Sequence, residues 1–229
     1  MKFESTSRGF ARCARVLRPN FLSEAEQIDL IQMTETGMHG QAHDNGKTAF
    51  APMAHSSVRY LGSRDRDHFA SLTARVKAQL EIEFGVAQLY SAGALLMRIY
   101  AREQIPASLL DRDPLHEYWA THSDMAAQPS YDYTALVYLN SHCHEHDGLG
   151  GDPSVCVYDR ASARQPHFAG GEFVWNDGAV DHIVEPRGGQ LIMFTGGTEN
   201  MHQVRYVTRG TRYAIGMWYT CDELRMYQG

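Results

Sequence analysis

The chain has 229 residues, 43% hydrophobic and 21% charged, with a formal net charge of −6, the profile of an ordinary folded protein with enough chain to bury a core. The acidic balance and the lack of a long basic run argue against a nucleic-acid partner. The four cysteines, Cys13, Cys143, Cys156 and Cys221, form no CxxC pair, which argues against a disulfide framework or a zinc ribbon and for free thiols. No apolar run reaches membrane-span length and the N-terminus has no apolar h-region, so a cytoplasmic protein without a membrane partner is expected.

In chain order, VLRPNFLS (16–23) reads as a first strand and loop. FLSEAEQIDLIQ (21–32) then starts a helix: Ser23 and Glu26 form a capping box, and Ile28, Leu30 and Ile31 supply an apolar stripe. Residues 37–65 read as loop, with a strand near Ser57 to Leu61. A second helix is expected from Asp67 to Phe84, because Phe69, Leu72, Val76 and Leu80 recur at helical spacing and Gly85 supplies a stop.

From residue 93 the pattern changes to short β-branched and aromatic runs separated by Gly, Asn, Asp or Pro. Strands are expected at 95–100, 133–140, 171–175, 181–185, 189–195, 202–208 and 212–220, with TRGT (208–211) as a tight hairpin joining the last two. The whole is read as a single α+β domain, 1–229. It has helical support at 20–90, an antiparallel sandwich or barrel at 93–222 and an insertion at 141–167.

The insertion opens with SHCHEHDGLGGDP (141–153), which crowds His142, Cys143, His144 and His146 together. A zinc module completed by Cys156 or His167 is one reading. The tract runs straight into turn residues, however, and a loop is poorly suited to hold several ligands on one face. It is read instead as the tip of an insertion beside the mouth of a site elsewhere.

That site is sought in ATHSDMA (120–126). On an extended strand His122 and Asp124 point to the same side. A third ligand is available in His202, at the start of a later strand. Two imidazoles and one carboxylate on one face of a metal leave other positions open, which suits non-haem Fe(II). Ten residues on, Arg212 shares a strand face with Ala214, Gly216 and Trp218. If that face is interior, the guanidinium needs a carboxylate, and a dicarboxylic cosubstrate would supply it. Arg209 competes for the same role. Thr134, Leu136 and Tyr138 share a face too. The hydroxyls of Thr134 and Tyr138, if buried, need partners, either in a cosubstrate or in a neighbouring group.

The order HSD, YTALVYLN, FAGGEFVW, GGQLIMFTGGTEN, MHQV and VTRGTRYAIGMWYT resembles the 2-oxoglutarate- and iron-dependent oxygenases, over roughly residues 93–222. Within them it resembles the prolyl hydroxylases, and most of all the catalytic domain of the collagen prolyl 3-hydroxylases. The resemblance implies a double-stranded β-helix (jelly-roll) core with N-terminal flanking helices. It implies His122, Asp124 and His202 as catalytic iron ligands, and Arg212 as the partner of the distal carboxylate of 2-oxoglutarate. Tyr138 and Thr134 fall in the cosubstrate pocket, with Tyr100 on its border, and Arg98 and Trp218 fall beside the substrate. The implied cofactor is Fe(II), with 2-oxoglutarate and O2 as cosubstrates and ascorbate as a further candidate.

The implied reaction is hydroxylation of an unactivated C–H bond on a prolyl residue of a peptide or protein, with succinate and CO2 as coproducts. Related halogenases lack the carboxylate that Asp124 supplies, so hydroxylation is favoured. A free amino acid or other small molecule is the alternative substrate, and a non-catalytic zinc- or ligand-binding jelly-roll the alternative role. The large N-terminal region, secretory signal and retention tail of the collagen enzymes are not seen in this sequence, which weighs against collagen as the substrate.

Overall fold

The structure is a computed structural model that describes residues 15–39, 62–101, 120–142 and 167–226. The chain begins with β1 (Arg15–Arg18), α1 (Glu24–His39), α2 (Ser63–Phe84) and β2 (Tyr90–Tyr100). There follow a short helix α3 (Asp124–Ala127), β3 (Tyr133–Tyr138), β4 (Phe168–Gly170), β5 (Phe173–Asp177) and β6 (Val180–Val184). It closes with β7 (Leu191–Thr195), β8 (His202–Val204) and β9 (Val207–Thr220). The strand expected near Ser57 lies outside the described residues.

Both expected helices form, for the reasons their sequences give. At the start of α1 the Ser23 backbone N–H donates to Glu26 Oε2 at 2.9 Å, and the Glu26 N–H donates back to Ser23 Oγ at 3.3 Å. Arg75 of α2 reaches the same carboxylate and ties the two helices together. α2 buries Phe69, Leu72, Val76 and Leu80 and ends at Gly85, whose φ of 65° suits a residue without Cβ.

Partial burial raises the pKa of Glu26, but the Ser23 and Arg75 hydrogen bonds outweigh it and bring the value from an ordinary 4.5 to about 2. A depressed carboxylate pKa stabilises the fold above the unfolded value, and that stability is lost as pH falls from 4.5 towards 2. Glu26→Gln should therefore cost about 1 kcal/mol at neutral pH, after allowance for solvent screening, and nothing near pH 2. Urea melts across this range check it, and an unchanged pH slope would count against it.

The strands form two antiparallel sheets. The larger runs β1-β7-β3-β9-β2, with β4 on a further stretch of β9, and the smaller runs β6-β5-β8. Alternation along the strands divides the core. Leu96, Val137, Met193, Ile215 and Met217 meet Leu30, Ile31, Leu72 and Leu80 of the helices. Met97, Ile99, Leu136, Tyr138, Phe194 and Ala214 face Phe173, Trp175 and Val204 of the smaller sheet. This is an α+β jelly-roll with helices on one outer face. Among the described residues, no helix is long and apolar enough to cross a membrane.

Two local expectations are corrected. TRGT is not a hairpin: β9 runs unbroken through it from Val207 to Thr220. The chain instead changes sheets at Arg205–Tyr206, because β8 pairs with β5 while β9 pairs with β2, β3 and β4. Gly210, with φ 73°, lies in β9 opposite Phe168, so the glycine accommodates an irregular strand rather than a turn. The strand read at 171–175 instead begins at Phe173 and runs to Asp177. Gly170 and Gly171 both have positive φ, and a Cβ on Gly170 would sit 2.2 Å from the Tyr206 carbonyl oxygen. The chain therefore bends there, from β4 in the large sheet to β5 in the small one.

Candidate metal centre

His122 and Asp124 do not share an extended strand. His122 forms an isolated bridge with His202, donating its N–H to the His202 carbonyl and accepting that of His202, each at 2.9 Å. Asp124 opens α3, where the chain turns after Ser123. The two are brought together by that turn, and His202 by its pairing with β5 at Trp175.

The ligand atoms of His122, Asp124 and His202 lie within 4.8 Å of one another, a spread that one metal ion can bridge. His122 Nε2 and His202 Nε2 stand 4.0 and 3.9 Å from Asp124 Oδ1. Each Nδ1 is taken by a backbone carbonyl: His122 contacts Ala120 O at 2.8 Å and His202 contacts Asn200 O at 2.9 Å. A carbonyl only accepts, so both Nδ1 atoms carry the proton and both Nε2 lone pairs turn inward. Burial lowers the pKa of His202 against the pull of Asp124, with His122 adding to the lowering, which favours the neutral imidazole that a metal requires. Phe173 stacks on the His202 ring at 5.1 Å and Phe194 meets it edge-on at 4.9 Å, so the ring has little freedom.

Thr134 lies where the period-two reading put it, facing the interior, and its hydroxyl donates to Asp124 Oδ2 in a short hydrogen bond. The partner is the carboxylate of this chain. Thr134→Val keeps the shape and removes the donor. Metal affinity should then fall about 10-fold with the melting temperature nearly unchanged, as measured by Mn(II) titration and thermal melts. An unchanged affinity would show that the bond does not orient Asp124.

The three residues line one end of a cavity of about 390 Å³ between the sheets. Its walls are mostly apolar, with Leu95, Met97, Leu136, Val204 and Trp218, and Arg212 is also in the lining. Arg212 is 1% exposed, and among the described residues its Nε and Nη2 have no hydrogen-bond partner. Its guanidinium carbon lies 5.0 Å from the centre of the Tyr138 ring. Tyr138 is fully buried, and its hydroxyl likewise has no well-aligned partner among the described residues. Burial raises the pKa of that hydroxyl, and the Arg212 charge opposes the rise. The chain has therefore placed a guanidinium and a phenol in its interior with donors left over, at a cost that a bound anion would offset.

Other expected residues divide. Trp218 lines the cavity and stacks on Tyr131 at 4.8 Å with planes 15° apart. Arg98 does not reach the cavity, which corrects the expectation of substrate contact. It is 6% exposed and its Nη1 donates to Glu35 Oε2 at 2.9 Å, where Tyr213 also donates to Glu35, at 2.7 Å. The reason is parity: Leu95, Met97 and Ile99 face the cavity, so Arg98 faces α1. Tyr100 ends β2 opposite Thr211, and its side chain lies outside the described residues. Arg209 stands opposite Ala169 and is not among the cavity walls.

His142 sits at the base of the insertion, bridged to Phe168, with Nε2 3.6 Å from Glu172 Oε1. The rest of the tract, Cys143, His144 and His146, lies outside the described residues, as does Cys156. Sequence reasoning missed Tyr131, Phe173 and Phe194, whose roles follow from ring packing, and Asn200, which offers a backbone oxygen that no motif marks.

Residues 114–220 match the model of the 2OG-Fe(II) oxygenase superfamily. Fold, donor set and match agree with the resemblance read from the sequence, which is borne out: residues 114–220 are similar to the Fe(II)- and 2-oxoglutarate-dependent oxygenases. Fe(II) suits two imidazoles and a carboxylate, and 2-oxoglutarate and O2 are the cosubstrates of that class.

The chain is similar to the 2-oxoglutarate and iron-dependent oxygenase domain-containing protein 3 of Rattus norvegicus, 36% identical over 227 residues. That match covers 92% of this chain, which spans 64% of that relative's length. It is also similar to prolyl 3-hydroxylase 2 of Rattus norvegicus, 32% identical over 102 residues, covering 42% of this chain and 11% of that protein. The fold matches a prolyl hydroxylase from Trichoplax adhaerens solved with a hypoxia inducible factor peptide fragment. The TM-score there is 0.58 with 15% identity, over 92% of this chain and 84% of that one.

Proposed function

We propose that this chain hydroxylates an unactivated C–H bond with 2-oxoglutarate and O2 as cosubstrates, and that the bond belongs to a prolyl residue of a peptide or protein. The observation that carries the reading is a facial set, His122, Asp124 and His202, in one cavity with the orphaned guanidinium of Arg212. Nothing else described in the cavity accounts for an unpaired buried cation, and a dicarboxylate does. His122, Asp124 and His202 would hold Fe(II), and Arg212 with Tyr138 would hold the far carboxylate of 2-oxoglutarate. Iron so held, with its cosubstrates, supplies the oxidation of C–H to C–OH while 2-oxoglutarate becomes succinate and CO2.

The protein's own part is orientation and exclusion of water. Thr134 keeps Asp124 turned toward His122 and His202, and Phe173 and Phe194 keep His202 in place. The stacked pair Tyr131 and Trp218 offers a flat apolar wall suited to a neutral ring. The prolyl assignment is further supported by the likeness to a protein named prolyl 3-hydroxylase 2. Ascorbate would act as an auxiliary reductant.

Two measurements test this. Purified chain with Fe(II) and 2-oxoglutarate should release succinate, and mass spectrometry of peptide libraries should find a gain of one oxygen on proline. Oxidation confined to a non-prolyl residue or to a free amino acid would overturn the substrate half. Tight zinc binding with no succinate under any substrate would overturn the whole.

A further inference from the structure

One residue outside the cavity is tied to the metal set by an unbroken run of contacts. Arg15 of β1 donates from Nε to Asn200 Oδ1 at 2.7 Å and from Nη2 to the Glu199 carbonyl at 3.3 Å. Asn200 is 1% exposed, and its Nδ2 donates to the Thr195 carbonyl at 3.0 Å and to Thr195 Oγ1 at 2.8 Å. Both ends of that amide are thus anchored, and the carbonyl of the same residue accepts from His202 Nδ1. The guanidinium also lies 4.2 Å from the centre of the Trp175 ring, and Trp175 meets the His202 ring at 5.9 Å. Arg15 therefore touches two of the groups that set the imidazole. Its outer edge makes a separate bidentate pair with Asp177, at 2.7 and 2.6 Å.

We infer that Arg15 is a positioning residue for the metal centre, fixing the ring angle and tautomer of His202 through Asn200 and Trp175. The inference rests on the reading of His202 as a metal ligand. The physical reason is lever length. Asn200 lies in a three-residue turn between β7 and β8, held by its N–H on the Gly197 carbonyl at 3.1 Å and by its side chain rather than by a ladder. Releasing Oδ1 leaves the amide anchored at one end only, and a ligand needs its supports to within about 0.5 Å for full affinity. The competing account makes Arg15 a staple between β1 and β5 through Asp177, with no bearing on the metal.

The two accounts separate in Mn(II) affinity, read from the free-ion EPR signal of the purified chain, alongside thermal melts. Arg15→Met keeps the stem against Trp175 and removes the donors, so affinity should fall about 10-fold, as is usual for lost support of a metal-ligating histidine. Asp177→Asn removes the ion pair and spares the Asn200 contact, so affinity should stay within about twofold even where the melting temperature drops as far. Arg15→Lys restores one donor and should recover affinity to within about threefold of the parent. Should Arg15→Met not fold, Arg15→Gln, which removes the guanidinium and keeps a polar stem, replaces it with the same expected loss.

His202→Ala is run in parallel. Lost binding there with unchanged affinity in Arg15→Met overturns the inference and leaves the metal centre intact. Unchanged binding in His202→Ala overturns the metal centre itself. Equal weakening by Arg15→Met and Asp177→Asn assigns Arg15 to the staple and also overturns the inference.

Discussion

His202→Ala should weaken Mn(II) or Fe(II) binding by more than about 100-fold and lower succinate formation by about 1,000-fold, because a facial set reduced to two ligands no longer fixes one ion. The ring that is lost is 5% exposed and packed against Phe173, Phe194 and Trp175, so its removal also leaves a cavity. Stability should fall by about 2–4 kcal/mol, and circular dichroism must confirm that the fold persists. Asp124→Asn supplies the variant without a cavity: it keeps the shape, removes the charge and should lose metal to a similar degree. His142→Ala, at the base of the insertion, should leave metal binding unchanged. If His142→Ala abolished binding and His202→Ala did not, the metal would belong to the histidine tract of the insertion.

The second large effect concerns Arg212, and it has an unusual sign. Arg212 is nearly without solvent contact and two of its nitrogens are unpaired among the described residues, so the ligand-free protein bears a cost of burial that they do not compensate. Arg212→Met fills similar space without charge, and the ligand-free variant should melt at the same temperature as the parent or a few degrees higher. The parent should gain stability when 2-oxoglutarate is added, since a ligand that binds only the folded state stabilises it by mass action. The variant should lose that gain, and its KM for 2-oxoglutarate should rise by about 100-fold or more, the effect of losing a charge-assisted bidentate contact. Thermal shift and succinate assays with and without 2-oxoglutarate check both halves. A ligand-induced shift that survives in Arg212→Met would move the carboxylate partner elsewhere, with Arg209 the first to examine. A destabilised ligand-free variant would mean that the guanidinium is already satisfied.

The layout of the fold was legible where local physics and tertiary packing agree. The capping box at Ser23 and Glu26, the 69–72–76–80 stripe and the stop at Gly85 all serve the helices they suggest, because each acts within one turn of its own residue. Strand parity carried further. That Thr134 and Leu136 share one face of their strand, and Arg212, Gly216 and Trp218 one face of theirs, follows from period two, since alternate side chains leave a strand on opposite sides; the pairing of β3 with β9 then joins the two faces in one wall. The same rule would have turned Arg98 away from that wall, had the face of β2 been set by Leu95, Met97 and Ile99 instead of by its polar residues.

Pairing was not legible. TRGT carries the composition of a turn, yet β9 continues through it, because a glycine with positive φ serves an irregular strand as well as a hairpin. The close approach of His122 to Asp124 comes from a bridge followed by a helix start, and no local pattern marks that.

By itself the sequence determined the residue types, the alternation that sorts them to one face or the other, and the helices that cap their own ends. Only the tertiary structure decided which carbonyl receives each imidazole N–H, that the Thr134 hydroxyl serves Asp124, and that two Arg212 nitrogens find no partner among the described residues. The physical reason is one of range. Capping and alternation act between neighbours in the chain, whereas the partner of a buried polar group is chosen by how two sheets meet, and hydrogen bonds span only about 3 Å.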